Sequence, residues 1–147
     1  MRIQTKTILL GALLALRGWE GTAECGEPRK LKVVASIPAL QSIAQSVGGD
    51  RVEVESICHP DQDPHFVDMK PSHIMRLRKA DLIVKVGVEM DPWMDGLVEQ
   101  AGNRRILKGR PGHIDASQGI QALEVPVAVD RAQGDVHPFG NPHYWLD

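Results

Sequence analysis

The rhythm of apolar and polar positions switches repeatedly between residues 31 and 107, and each switch marks a predicted element. Leu31-Lys-Val-Val-Ala-Ser36 is a short β-branched run of strand type. Pro38 then opens a segment with apolar residues at Leu40, Ile43, Ala44 and Val47, the spacing of one helix face, and Gly48-Gly49 supplies its stop. Arg51-Val-Glu-Val-Glu-Ser-Ile57 alternates as a strand does. Residues 58–70 are dense in turn formers, among them Pro60, Asp61, Asp63 and Pro64. Pro71-Ser72 starts a second helix, with Ser72 as N-cap or Pro71 in the first turn, and places Ile74, Leu77 and Ala80 near one face. Asp81 to Gly87 is apolar enough for a strand covered on both faces, Pro92 to Gly102 reads as a third helix, and Arg104-Arg-Ile-Leu107 as a fourth short strand. Beyond Gly109 the chain becomes irregular.

Strands alternating with helices predict an α/β fold, an open parallel four-stranded sheet with flanking helices and right-handed crossovers. Such sheets bind ligands beyond the carboxyl ends of their strands. His65 follows the second strand, on that edge; His143 comes after the fourth strand and a long connection, and can return to it.

Composition narrows the function. A chain of 147 residues fits one domain with a real core, and a formal net charge of −2 without any basic run excludes nucleic-acid binding. Residues 1–23 stand apart: Arg2 and Lys6 precede the nine-residue apolar run Ile8–Leu16, and Gly21-Thr-Ala23 follows. That reads as a secretory signal peptide, with a retained anchor the weaker alternative, since about 20 apolar residues are needed to span a bilayer. Residues 24–147 are then the exported domain, periplasmic or otherwise extracytoplasmic. Cys25 follows Glu24 where a lipoprotein signal needs a small residue, so lipid anchoring at Cys25 is not expected. A Cys25–Cys58 disulfide and unpaired thiols both remain open.

Histidine carries the candidate chemistry. His65 and His143 each directly follow a proline in a turn-rich loop, where a fixed backbone can aim an imidazole at a shared metal. Asp63 either orients His65 or simply forms the turn before Pro64. His137, six residues before His143 in a Pro/Gly loop, is either a third or transient ligand or, as its context favours, a supporting or exposed residue, and His59 has the same ambiguity with less behind it. His73 and His113 are expected to be solvated, Trp93 and Trp145 to be core anchors, and Glu89 with Trp93 to fix the loop after the third strand. Neither a zincin helix, a nucleophile elbow nor a phosphate-binding loop occurs in the sequence, so no enzyme is expected.

Taken in order, Asp63-Pro-His65, Lys70-Pro-Ser72, Leu77-Arg-Lys-Ala-Asp-Leu-Ile-Val-Lys-Val-Gly87, Glu89-Met-Asp-Pro-Trp93 and Asn141-Pro-His-Tyr-Trp-Leu-Asp147 resemble the TroA-like (cluster A-I) metal-binding proteins of bacterial ABC importers. The resemblance spans residues 31–147. It implies a two-lobe protein whose N-terminal lobe contributes His65 and His143 and whose C-terminal lobe contributes the remaining ligands. The present sequence resembles the N-terminal lobe, with the second lobe absent, as in a truncated fragment. The implied function is capture of a transition-metal ion, zinc ahead of manganese or iron, and its delivery to a membrane permease. A zinc-dependent hydrolase and a fragment without retained metal function are the rival readings. Many zinc members of the family carry a histidine-rich insertion between the two motifs; here residues 109–136 contain only His113.

Overall fold

The computed structural model describes residues 29–128, 132 and 137–146. The signal-peptide assignment and Cys25, with its pairing to Cys58, lie outside the described residues.

Strands β1 (Leu31–Ala35), β2 (Val52–Ser56), β3 (Leu82–Lys85) and β4 (His113–Asp115) form one parallel sheet in the order β2-β1-β3-β4. Its register pairs Leu31 with Val52, Val33 with Leu82 and Ile83 with His113. Helices α1 (Pro38–Gly48), α2 (Pro71–Lys79) and α3 (Pro92–Ala101) connect the strands. Each starts with proline in its first turn, where the missing N–H costs nothing. Lys70 occupies the N-cap of α2 without a side-chain cap, so Pro71 rather than Ser72 sets that start. Among the described residues no helix is long and apolar enough to cross a membrane.

The core joins Val34 and Ala35 of β1, Ile83 of β3, Leu77 of α2 and Met94, Leu97 and Val98 of α3. At about 1.5–3 kcal/mol for each fully buried large aliphatic side chain, these residues dominate the favourable side of folding. Only Leu40 of α1 is buried in that core; Ile43 and Val47 stay exposed, so the apolar face predicted there is mostly open to solvent.

The fourth strand differs from the sequence expectation. Residues 104–107 turn rather than extend, because the Asn103 amide donates to the carbonyls of Leu77 (2.9 Å) and Ala80 (2.8 Å) at the end of α2, while its oxygen accepts the N–H of Arg105 (3.1 Å). Ile106 is still fully buried, as an apolar plug from a turn. The strand forms later, after the Ile83 N–H has bonded the Gly112 carbonyl at 2.8 Å. His113 therefore sits on β4, half-buried, with Nδ1 2.9 Å from the Ile106 carbonyl, rather than in a solvated loop. His73 is buried as well, because it falls on the inner side of the first turn of α2. Its surroundings keep the ring's pKa below the ordinary value, by desolvation first and then by Arg76 and Lys70.

Candidate metal centre

The ladder between β1 and β2 runs on past the strand ends, with Ile57 donating to Ala35 and Cys58 to Ser36. The following loop therefore starts on the carboxyl edge of the sheet. Within it Asp63 does both things the sequence left open. Its Oδ1 accepts the backbone N–H of His65 at 2.9 Å, closing an Asx turn, and stands 2.9 Å from His65 Nδ1. These two bonds, the backbone one first, hold the Asp63 carboxyl below its ordinary pKa. With Nδ1 engaged by a carboxylate, His65 presents Nε2 outward, the usual division of labour in a liganding imidazole. Trp93 of α3 completes the support by donating its indole N–H to the Pro64 carbonyl at 2.8 Å. Trp93 thus steadies the histidine loop after β2, whereas the sequence assigned it to the loop after β3.

The second loop reaches the same edge from the far end of the chain. Gly140 donates to the His137 carbonyl at 3.1 Å, closing a turn around Pro138. Its φ of 99° belongs to glycine, and a Cβ there would stand 2.6 Å from the Leu123 carbonyl oxygen. Asn141 then bonds three ways: its backbone N–H donates to the Leu123 carbonyl, its side-chain amide N–H to Glu124, and its side-chain Oδ1 accepts the backbone N–H of His143. Pro142 is fully buried, and Tyr144–Leu146 form a single 3-10 turn. The Tyr144 hydroxyl donates to the Val86 carbonyl, just beyond β3, at 2.7 Å. Burial, aided by Asp115 and Asp91, pushes this phenol up to about 12, so it remains a donor well into alkaline pH.

These anchors bring His65, His137 and His143 together. Their ligand nitrogens all lie within 4.8 Å of one another, and each residue is partly exposed. Ring centroids are 5.0 Å apart for His65 and His137, 5.9 Å for His65 and His143, and 6.0 Å for His137 and His143. Imidazoles radiating from one tetrahedral ion at zinc–nitrogen distances near 2.0–2.1 Å would have centroids about 5 Å apart. The sequence-predicted residues His65 and His143 are thus neighbours, and His137, for which the sequence favoured a supporting or exposed role over a liganding one, lies with them. His59 does not join: its ring is exposed and faces Asp61. Its place six residues before His143, in a Pro/Gly turn, is the sequence signal that had kept a liganding role open for His137.

The family model for ZnuA, the periplasmic zinc-uptake complex component A, matches residues 33–147. The chain belongs to this family. It is 30% identical over 118 residues to the iron-binding protein YfeA of Yersinia pestis, covering 80% of this chain and 34% of that protein. It is 24% identical over 144 residues to the manganese ABC transporter substrate-binding lipoprotein PsaA of Streptococcus mitis, covering 95% and 43%. A crystal structure of ZnuA superimposes with a TM-score of 0.58 at 26% identity, covering 80% of this chain and 40% of that one. The chain spans less than half the length of these relatives, whose names differ in the metal.

Proposed function

We propose that this chain is the histidine-bearing lobe of an extracytoplasmic solute-binding protein, which captures a transition-metal ion and passes it to the permease of an ABC importer. The convergence of His65 and His143, from loops far apart in sequence, at the carboxyl edge of the sheet carries the reading. Zinc is the favoured cargo, because imidazole nitrogen suits zinc, whereas manganese prefers carboxylate, carbonyl and water oxygens. Asp63, beside the cluster, is turned to His65 Nδ1 and supports a ligand instead of serving as a catalytic base, which favours binding over hydrolysis. Family membership and the transport names of the relatives point the same way.

Isothermal titration of the chain with zinc tests the proposal. One ion is expected per chain, bound far more weakly after His65→Ala or His143→Ala and unchanged after His59→Ala. Excess manganese should fail to displace it. Absence of zinc binding, or equal binding by all three variants and the parent, would refute the reading.

A further inference from the structure

We infer that His137 is itself a metal ligand, so that this lobe alone offers three imidazole nitrogens to one ion; the inference rests on the metal-binding role proposed above. The decisive observation is the nitrogen that His137 meets. A residue that merely supports a ligand bonds the ring nitrogen facing away from the metal, as Asp63 does at Nδ1 of His65. His137 Nε2 instead stands 3.3 Å from His65 Nε2, the nitrogen that Asp63 leaves for the ion. Two nitrogens bound to one tetrahedral zinc are separated by about 3.3 Å, so the pair already has the edge length of such a site. The backbone of His137 is held by the turn to Gly140 rather than trailing freely. His143 closes the third side, with its ring centroid about equally far from the other two.

Three neutral nitrogens leave one position of a tetrahedron for water or for a further donor, and leave the charge of a divalent ion uncompensated by the ligands themselves. The set therefore selects borderline ions rich in nitrogen affinity, such as zinc, cobalt or nickel, against oxygen-seeking manganese, calcium and magnesium. An anionic donor in the fourth position would tighten the site most.

Zinc K-edge X-ray absorption on the full chain loaded with one equivalent of zinc counts the imidazoles directly. Three are expected in the parent and two in His137→Gln, whose zinc affinity should fall by more than about tenfold, while circular dichroism shows an unchanged fold. Two imidazoles in the parent, or a His137→Gln variant with the parent's count and affinity, would overturn the third ligand and leave the proposed function standing. A parent chain that binds no zinc would remove both. The parent's imidazole count decides the matter even if the variant misfolds.

Discussion

The two loops that meet at the metal centre are built in opposite ways. The loop after β2 holds His65 through side chains, with Asp63 on its Nδ1 and Trp93 on the preceding carbonyl. The loop ending in Tyr144–Leu146 holds His137 and His143 mainly through its own backbone: a glycine-closed turn, an Asx turn at Asn141 and a buried Pro142, with one phenol tying it to the sheet. The first design fixes the orientation and proton of a single ring. The second fixes the path of a segment that carries two rings. In the first loop a carboxylate tunes the ring it holds, and in the second a folded backbone sets where two rings lie.

Gly140→Ala should do the most damage to the second loop. The alanine would adopt a φ that costs about 1–3 kcal/mol and would press on the Leu123 carbonyl. Zinc titration should show a large loss of affinity, while the melting of the β-sheet core moves less; retention of full affinity would mean that the turn does not position its histidines. Asp63→Asn probes the first loop. It keeps the shape and removes the charge, so zinc affinity should drop about tenfold to a hundredfold with little change in thermal stability. An equal drop after Asn141→Asp, which adds a carboxylate to the second loop, would erase the contrast. Tyr144→Phe removes a hydrogen bond of about 1 kcal/mol and should lower stability by that order in chemical denaturation, with a smaller effect on zinc.

The smallest expected effect lies away from both loops, at His73. Because its folded pKa is lowered, the neutral ring is favoured in the fold. Stability from this site is whole above the unfolded value near about 6.5 and shrinks as pH falls through that value toward the lowered one. His73→Leu should therefore flatten the loss of melting temperature between neutral and mildly acidic pH. An unchanged slope would place the acid sensitivity elsewhere.

The contrast also explains what was legible in the amino-acid order. Strands β1 to β3 and all three helices were readable because periodicity and flanking proline or glycine agree at each of them. The fourth strand was misplaced because Ile106 is buried without being extended: a side-chain cap from Asn103 is a tertiary bond that periodicity does not register. Helix α1 shows the reverse case, a correct helix whose apolar residues Ile43 and Val47 are left uncovered. At the metal centre the prolines before His65 and His143 directed attention to those two residues. His137 ranked behind them, with a liganding role left open, because its proline follows it, and the turn that doubles its ring back depends on the Gly140–Leu123 packing, which lies in no local pattern.

Trp93 and Trp145 give the molecule a means of reporting its own occupancy. The indole of Trp93, on α3, is bonded to the carbonyl just before His65, and the ring of Trp145 lies 5.2 Å from that of His143, so each loop has a fluorophore beside its histidine. A cation arriving among the imidazoles alters the field at Trp145 directly and at Trp93 through the Pro64 carbonyl. Closed-shell zinc would shift the emission, and paramagnetic copper or cobalt would quench it. The ion's arrival, and any difference in timing between the two loops, can thus be followed without attaching a label.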